Sequence, residues 1–466
     1  MVLTKSQWLR KSGIFRCVLV EIDYVELGAT KTAYFARGNF RSAGTDTPAY
    51  MPYRDLIIGG LQFSQSISEA FTGKSSVDLG DVELVMQPEA NALLKKAVAG
   101  NQIRIYIGEE SWKKSGFYLL ATVTSKRVYP SNNSIFVTFR DYSEDLDQLV
   151  LTTKTTRDEL IPLALGRVFN CKPVLDDAAS HRYKFNREAS QAVTAVKMNG
   201  DVISNSNYTV DLVNSTITFS VMPIGQITID VDGCNAGGWK STAAAMILHL
   251  FPNAQIDALL ATYQLGLYVD SDLTKVALLD KITSSVGAFW LFDEFGVLHV
   301  KPFKLPTNTS LLLLSDDHNE QFSRRGRSQF SPVKSVELKY GKNFSPIKSI
   351  AGAVYGDAAM ADRLQNNYLT KSKINSALTD FKDAISITPV TIISEEVDAD
   401  TEAQRRLDIG SQPRFISETK QLAAAFEYQL GDEIKLESPD INGDYAIINR
   451  KRNDILNETV TLEFWQ

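Results

Sequence analysis

Cysteine is scarce in this sequence of 466 residues, and its placement excludes two common uses. The three cysteines, Cys17, Cys171 and Cys234, lie far apart and form no Cys-x-x-Cys pair. The sequence therefore indicates neither a disulfide framework nor a zinc site. We predict that all three are buried, small apolar residues of a protein made in a reducing cytoplasm.

Surplus positive charge and long apolar runs are also missing. The formal net charge is −6, whereas a general nucleic-acid binder needs a basic surplus to neutralise phosphates. No apolar run approaches the roughly 18 residues of a membrane-spanning helix, and the first residues lack the apolar core of a secretory signal. Hydrophobic residues make up 44% of the chain and charged residues 22%, which indicates a globular protein with real cores.

Local signatures of catalysis are missing as well. Residues 73–75 (Gly-Lys-Ser) resemble the end of a phosphate-binding loop, but Ser68 stands where that loop needs glycine. No serine lies in a Gly-x-Ser-x-Gly motif, and no Cys–His pairing stands out. The segment 230–233 (Asp-Val-Asp-Gly) resembles a calcium loop without its later ligands, so a strand-ending turn explains it better.

Residue types that often carry chemistry occur, but not in catalytic patterns. The histidines lack the spacing of a zinc motif, and we expect them to be structural or at the surface: His181, His249, His299 and His318. A group of acids suggests glycosidase carboxylates, but a solvated acidic linker explains it more simply: Asp141, Glu144, Asp145 and Asp147. Ion pairing or a subunit contact explains a basic patch as well as phosphate binding does: Arg324, Arg325 and Arg327. The sequence therefore predicts no catalytic, cofactor-binding or metal-binding residues, no cofactor and no enzyme activity.

Strand and helix signals predict a mixed α+β chain that is dominated by β structure. Residues 1–150 are β-rich, with one short helix before Gly100. Residues 151–238 read as a small β domain that opens with a helical stretch at 155–169 and contains an Asn199-Gly200 hairpin turn.

The second half of the chain divides into two further parts. Residues 239–305 read as an α+β domain with three helical stretches, the second near 254–265, followed by a hairpin. Residues 306–466 return to β structure. A capping box at Thr401 opens a helix there that Gly410 ends, and a polar excursion near 352–385 is expected to be a flexible or partner-binding arm.

Two segments share one pattern, at 116–141 and at 443–465. Each begins with glycine and continues with a tyrosine, an apolar strand, a basic stretch, an asparagine-containing turn and an alternating strand. Any antiparallel hairpin with a polar turn fits this description, and so do two barrels of one design at the two chain ends. The matched positions are Tyr118 and Tyr445, Arg127 and Arg452, and Phe139 and Phe464.

The order of these features resembles the baseplate hub or tail-tip hub proteins of long-tailed bacteriophages and related gene transfer agents. The resemblance lies in the helix and hairpin of 278–300, in 398–410 followed by 430–439, and in the closing Val-Thr-Leu-Glu-Phe-Trp. It also covers the first third, with Tyr-Met-Pro-Tyr-Arg-Asp-Leu-Ile and the exit Val-Thr-Phe-Arg-Asp-Tyr. It implies two tail-tube-like β-barrel domains at the chain ends, with the small β domain and the α+β domain between them.

The resemblance also implies a function. It is that of a structural hub in the virion tail tip, made in the host cytoplasm, whose homotrimeric ring adapts the sixfold tail tube to threefold tip or fibre proteins and lines the DNA channel. The implied partners are the distal tail protein, the carboxyl end of the tape-measure protein, tip or central fibre proteins and passing DNA without specific binding. No membrane insertion is implied, and wall-degrading activity is expected on partner chains.

Other interpretations stay open. One is a distal tail adaptor or a receptor-binding β module, for which Tyr50, Tyr53 and Trp112 are the only hint of an exposed aromatic cluster. Another is a hydrolase with dispersed acids. Three scattered cysteines cannot hold the four-cysteine iron–sulfur cluster of some tail-tip proteins.

Overall fold

Strands dominate the structure, a computed structural model. It describes residues 4–11, 13–67, 71, 73, 75–306, 312–315, 319–325, 331–347, 356–411, 416–438 and 441–465. Strands account for 45% and helices for 19%, so the predicted β-dominated α+β class is confirmed. Over those ranges no sheet closes into a barrel, and the predicted two-barrel arrangement is not confirmed. None of the helices described is long and apolar enough to cross a membrane.

The first 150 residues build a nine-stranded sheet with the order β3-β4-β2-β1-β9-β10-β11-β8-β5. Alternating residues of β8 and β9 are buried against its core. The predicted helix before Gly100 is present but is a single turn, α2, that continues as a 3-10 turn. The elements are α1 (Lys5–Leu9), β1 (Cys17–Glu26), β2 (Ala29–Arg37), β3 (Phe40–Arg41), β4 (Pro52–Asp55), β5 (Ile57–Gly60), β6 (Gln62–Ile67), β7 (Ser75–Asp78), β8 (Asp81–Val85), α2 (Pro88–Ala92), β9 (Gln102–Gly108), β10 (Tyr118–Ser131) and β11 (Ser134–Arg140).

The next part is a small β unit with its own core around Val168, Phe185 and Ile229. Its elements are β12 (Leu163–Cys171), β13 (Val174–Asp177), β14 (Arg182–Lys184), β15 (Ser190–Met198), β16 (Asp201–Val202), β17 (Tyr208–Asp211), β18 (Thr216–Phe219) and β19 (Ile227–Cys234). The Asn199-Gly200 turn is confirmed, because Met198 pairs with Asp201 across it. The helix predicted at 155–169 is wrong.

Burial explains that error. Most of the apolar residues of this stretch belong to β12, which lies inside a five-stranded sheet with the order β16-β15-β19-β12-β21, where β21 is Gly266–Val269. A central strand is buried on both faces, so its apolar run does not alternate and resembles a buried helix.

Helices and a hairpin follow. The elements are α3 (Ala243–Leu250), β20 (Gln255–Ile256), β21, α4 (Lys275–Ser285), β22 (Ala288–Phe292) and β23 (Leu298–Pro302). The first and third predicted helical stretches and the β22–β23 hairpin are confirmed. The helix predicted near 254–265 is wrong: Asp257 caps a short 3-10 turn there by accepting a hydrogen bond from the amide of Leu259. The chain then enters β21, all four residues of which are buried beside β12.

The last part supplies two sheets, β27-β26-β28 and β24-β30-β31-β32-β29-β25. Its elements are β24 (Leu312–Ser315), β25 (Asn319–Arg325), β26 (Val333–Tyr340), α5 (Ala358–Gln365), β27 (Leu369–Ile374), β28 (Ile385–Ile387), α6 (Glu396–Ser411), β29 (Ile416–Leu422), β30 (Glu433–Ser438), β31 (Ile441–Asp454) and β32 (Thr459–Trp465). In the predicted excursion near 352–385, residues 352–355 lie outside the described ranges, and the remainder contains α5 and β27.

The predicted capping box at Thr401 is wrong. Helix α6 begins at Glu396, and the Thr401 hydroxyl donates to the carbonyl oxygen of Val397 inside the helix (2.9 Å). Gly410 lies in the last turn rather than beyond it. A Ser/Thr-x-x-Glu/Gln pattern also occurs within helices, where a threonine hydroxyl bonds back to the preceding turn.

The two ends of the chain share one hydrophobic core. Strand β6 leaves the first sheet and pairs antiparallel with β31, so that Ser66 lies opposite Arg450 and Gln62 opposite Asp454. The core beneath combines residues of both ends, including Val20, Ile105, Ile434, Leu462 and Phe464. A second core joins the helices of 239–305 to β26 and α6. The four-domain division stays a prediction, and these two cores cross its boundaries.

The repeated pattern of the sequence corresponds to two bulged hairpins. Strands β10 and β31 each have 14 residues, and each pairs with a following strand of 7 residues. The first half of each long strand pairs with the preceding strand, β9 or β30. Both strands therefore pass from one partner to the other at mid-length.

The bulges also correspond. The register shifts between Ser125 and Arg127 in the first hairpin, and between Ile448 and Arg450 in the second. In each case the residue before the shift lies opposite the matched phenylalanine, Phe139 or Phe464. Arg450, and not Arg452, is thus the counterpart of Arg127. The sequence comparison matched Arg127 with Arg452 because it treated the two turns as equally long, whereas the turn of the second hairpin is longer.

Candidate functional site

The turn of hairpin β22–β23 contacts both bulged hairpins. The main-chain carbonyl of Glu294, in this turn, accepts a hydrogen bond from the amide of Thr122 in β10 (2.8 Å). Its carboxylate Oε1 accepts one from Nζ of Lys451 in β31 (3.1 Å). One residue of the turn therefore joins equivalent strands from the two ends of the chain. We call the contacts around Glu294 the junction.

Lys451 is the more deeply buried partner in the junction. Its side chain is 3% exposed and that of Glu294 is 14% exposed. Its Nζ also donates to the carbonyl oxygen of Phe426 (2.8 Å). A charge removed from water is tolerated only with such partners, since leaving it unpaired costs several kcal/mol, roughly. The position of β31 against the turn is therefore held by an ion pair as well as by apolar packing.

A cavity of about 210 Å³ adjoins the junction. Its wall includes Lys5 of α1, Leu120 of β10, Phe295 of the turn and Asn453 of β31. Burial lowers the pKa of Lys5, and the Oδ1 atom of Asn453 is buried without a hydrogen-bond partner among the described residues. A polar cavity of this kind suits ordered water.

The conformation of this turn is fixed by Asp293 and His299. Oδ1 of Asp293 accepts hydrogen bonds from the amides of Phe295 and Val297 (both 2.9 Å), and Oδ2 contacts Nε2 of His299 (3.0 Å). Burial would raise the pKa of Asp293, but its hydrogen bonds to His299 and the two amides lower it below the ordinary value. His299 thus helps to hold Asp293 in this turn.

Helix α6 contacts the carboxyl end of helix α4, just before hairpin β22–β23, through a buried ion cluster. Glu402 is fully buried; its Oε1 accepts from Nε of Arg406 (2.7 Å) and its Oε2 from Nε of Arg405 (2.8 Å). Arg405 also donates to the carbonyl of Val286 (2.8 Å), and Arg406 to that of Ser284. Burial alone would raise the pKa of Glu402, but Arg406 and Arg405 hold it below its ordinary value. The two arginines thus cap the carboxyl end of α4.

A third cluster combines residues that the sequence places far apart. His249 Nε2 lies 2.8 Å from Glu188 Oε2, and Cys234 Sγ lies 3.0 Å from the same oxygen. All three cysteines are buried and free, as predicted. Cys234 nevertheless differs from the small apolar residue expected, because it touches two polar side chains. Burial raises the pKa of its thiol to about 11, and the hydrogen bond to Glu188 adds to that shift.

The acidic and calcium-loop-like groups are engaged in ion pairs and caps. Asp141 caps a 3-10 turn by accepting a hydrogen bond from the amide of Ser143 (2.8 Å). The other contacts pair Glu144 with Lys126 and Arg140, Asp145 with Arg140, Asp230 with Lys197 and Asp232 with Arg167. These contacts are structural for both groups, but the strand-ending turn predicted for 230–233 is wrong, because these residues lie inside β19 and pair with β12 and β15.

The remaining candidates are scattered. Ser75 donates to the carbonyl of Trp290 and Gly73 packs against α4, while Lys74 lies outside the described residues. Arg324 and Arg325 lie in β25, and His181 lies in a turn with a left-handed backbone. His318 and Arg327 fall outside the described ranges. Of the aromatic trio, Tyr50 is exposed, Tyr53 is buried against Glu21, and Trp112 packs on Trp8.

One end of the sheet β27-β26-β28 exposes large apolar side chains. Ile374 is 67% exposed, Phe381 57% and Ile385 45%. Ile374 pairs with Ser335 and Ile385 with Val333, so both lie beside the first residues of β26. We call this group the apolar end. It falls on the segment that the sequence marked as a flexible or partner-binding arm, and exposed apolar clusters are typical of contact surfaces.

Proteins similar to this chain are found among solved structures. No protein-family model matches the chain, and no curated protein matches it. Solved structures of tail proteins match the chain. The 43 kDa tail protein of prophage MuSo2 from Shewanella oneidensis is 12% identical, with a TM-score of 0.40 over 97% of this chain and 98% of its own. The tail protein from Neisseria meningitidis MC58 is 11% identical, with a TM-score of 0.42 over 97% of this chain and 96% of its own.

A chain of the native gene transfer agent virion also matches, at 10% identity and a TM-score of 0.45, over 68% of this chain and 87% of its own. The resemblance of the sequence to proteins of phage tails and gene transfer agents thus has counterparts among solved structures.

Proposed function

We propose that this chain is a structural hub subunit of a phage tail tip. The observation that carries the proposal is the pair of bulged hairpins, β10–β11 and β31–β32. They have the same strand lengths and the same bulge position, and they lie at opposite ends of the chain. We infer that they mark two related β units, each a tube-like barrel once neighbouring subunits complete it.

The junction gives the two units one fixed spacing. Glu294 is bonded to β10 and to β31, and β6 of the first unit is a strand of the second sheet. A linker would let the two units move independently, whereas a shared core and a shared sheet make them one rigid body. A ring subunit that must present two equivalent surfaces at a constant distance needs this rigidity.

The number of β units in each chain leads to the number of chains in the proposed ring. Three chains present six related units, which matches a sixfold tail tube above and threefold tip or fibre proteins below. In a closed ring, each subunit covers an edge of its neighbour, which removes the open sheet edges that an isolated β-rich chain exposes. In the described residues, the first large sheet ends at β3 and β5, and the second at β24, at β25 and, on a branch through β6, at β7.

The proposed ring also has a location and a set of partners. The ring would lie in the virion at the tail tip or baseplate, after synthesis in the host cytoplasm. The distal tail protein would bind above it, with the tape-measure protein and passing DNA in the channel and separate tip or fibre proteins below. We propose a neutral to acidic channel wall, since a basic wall would retain DNA, and no catalytic role.

Imaging of isolated tail tips tests the proposal directly. We expect three copies of this chain per ring and six β units around the channel. Native mass measurement of the detached ring should give three chains. Six copies, or a single copy at the side of the tail, would show that the hub assignment is wrong. The variant phage carries both Glu294→Ala and Lys451→Met, which remove the ion pair of the junction. The matched control phage carries Lys126→Met, which removes an exposed ion pair.

A further inference from the structure

The cluster of Glu188, Cys234 and His249 has the composition of a metal site. Glu188 precedes β15, Cys234 is the last residue of β19, and His249 lies in the last turn of α3. The three donor atoms are one carboxylate oxygen, one sulfur and one imidazole nitrogen. They lie within 4.8 Å of one another and come from three separate elements. The tertiary fold therefore assembles this cluster, which no local motif in the sequence encodes.

The separations of the donor atoms are close to those around tetrahedral zinc. They are 2.8 Å from Nε2 to Oε2, 3.0 Å from Sγ to Oε2 and 3.8 Å from Sγ to Nε2. Zinc binds sulfur at about 2.3 Å and nitrogen or oxygen at about 2.1 Å, so neighbouring ligands in a tetrahedron lie roughly 3.4–3.6 Å apart. Shifts of about half an ångström would bring the three donors to that geometry.

The surroundings of the cluster fit a bound ion as well. The amide of Ala236 points at Cys234 Sγ (3.5 Å), as an amide that supports a metal-bound thiolate does. Nε of Arg187 donates to Oε1 of Glu188 (3.1 Å) and leaves Oε2 for the cluster. The side chains of His249 and Glu188 are 17% and 24% exposed, which leaves a path for the ion and room for a water ligand.

We propose that Glu188, Cys234 and His249 bind one zinc ion per chain, with water as the fourth ligand. A thiolate and an imidazole favour zinc over calcium or magnesium, which prefer sets of oxygen ligands. The ion would tie helix α3 to the end of β19 and to the segment before β15. It would thus brace the small β unit against the helical part of the chain, a role independent of the hub assignment.

Cobalt serves as the spectroscopic probe. The full-length protein, stripped with a chelator, is titrated with Co²⁺ and then with Zn²⁺. We expect one equivalent of Co²⁺, a thiolate-to-cobalt charge-transfer band in the near ultraviolet, visible bands of tetrahedral intensity, and loss of all of them when Zn²⁺ is added. Zinc should also raise the melting temperature.

Two pairs of variants locate the ion. Cys234→Ser should remove the charge-transfer band, whereas Cys171→Ser, which alters another buried thiol, should keep it. His249→Ala should lose the rise in melting temperature with zinc, whereas His181→Ala, at a histidine outside the cluster, should retain it. Circular dichroism of the metal-free variants verifies that they fold.

Absence of stoichiometric metal binding by the wild-type protein would overturn the proposal. So would binding that persists in folded Cys234→Ser and His249→Ala proteins. Loss of the ring in phage particles with zinc binding intact would count against the proposed function alone.

Discussion

Glu294 and Lys451 form a largely buried ion pair, 3.1 Å from Oε1 to Nζ, between a hairpin turn in the middle of the chain and its penultimate strand. The same glutamate binds β10 through its main chain. Glu294 thus helps to fix the relative position of the two bulged hairpins, together with the shared core and the β6–β31 pairing, and breaking its ion pair is the most direct test of the junction.

Lys451→Met should lower the free energy of unfolding by about 3 kcal/mol, because it leaves the Glu294 carboxylate unpaired and poorly solvated. Denaturant titration at neutral pH measures the change. Lys126→Met, which breaks the exposed pair with Glu144, should change stability by less than about 0.5 kcal/mol. Equal effects of the two substitutions would show that burial of the junction pair is energetically unimportant.

Gly287→Ala should destabilise the protein by about 3 kcal/mol, since it combines backbone strain with a steric clash. Gly287 has φ +52°, and an added Cβ would lie 2.2 Å from Nη2 of Arg405 and 2.6 Å from Oε1 of Glu402. Gly100→Ala shares the positive φ, but its Cβ would meet no atom within 4 Å. That control should lose only about 1 kcal/mol. Thermal or denaturant unfolding of both variants separates strain from clash, and a Gly100 loss as large as that of Gly287 would contradict this assignment.

Acid should weaken the clamp between α6 and α4. The pKa of Glu402 is lower in the folded protein than its ordinary value of 4.5. Its contribution to stability is therefore complete above that value and is lost as the pH falls through the lower folded pKa. We expect the melting temperature to decline below about pH 4.5, and Glu402→Gln to reduce this decline while lowering stability at neutral pH.

Glu89→Gln, in an exposed pair with Arg54, should leave the pH dependence unchanged. An unaltered acid dependence in folded Glu402→Gln would rule out this role for the glutamate.

Phe381→Asp should block incorporation of the chain into tail tips, because the apolar end is expected to be covered in the assembled particle. The isolated variant should fold normally, as judged by its melting temperature, since the side chain is 57% exposed. Val213→Asp alters a residue that is 77% exposed in the small β unit and is the matched control. Complementation of a deletion phage with each variant, followed by detection of the chain in purified particles, gives the result. Normal incorporation of Phe381→Asp would exclude this surface as a contact.

Short-range patterns predicted much of the fold. The Asn199-Gly200 turn, the hairpin β22–β23 and helix α4 depend on neighbouring residues, so the sequence indicated each of them correctly. The repeated hairpin was also visible, because strand lengths and turns are local properties. The longer turn of the second hairpin, however, shifted the true counterpart of Arg127 from Arg452 to Arg450.

Long-range features were out of reach. Buried strand β12 read as a helix, because only the sheet around it makes its apolar run a strand. The segment that leads into β21 also read as a helix, but its apolar run forms only a short 3-10 turn capped by Asp257. Glu188, Cys234 and His249 belong to three segments and meet only after folding. The junction is similar, since nothing near Glu294 or Lys451 in the sequence marks the other as its partner.

The pairing of β6 with β31 also constrains synthesis. Gln62 and Asp454 lie opposite each other, so all the residues between these two strands must be synthesised before the strands can pair. Until then β6 can pair with β7 but not with β31. A contact of such high sequence separation slows folding and exposes the nascent chain to aggregation or chaperones. A product that ends before β31 cannot form this pairing. The topology therefore lets the sheet that joins the two ends form only after β31 has been synthesised.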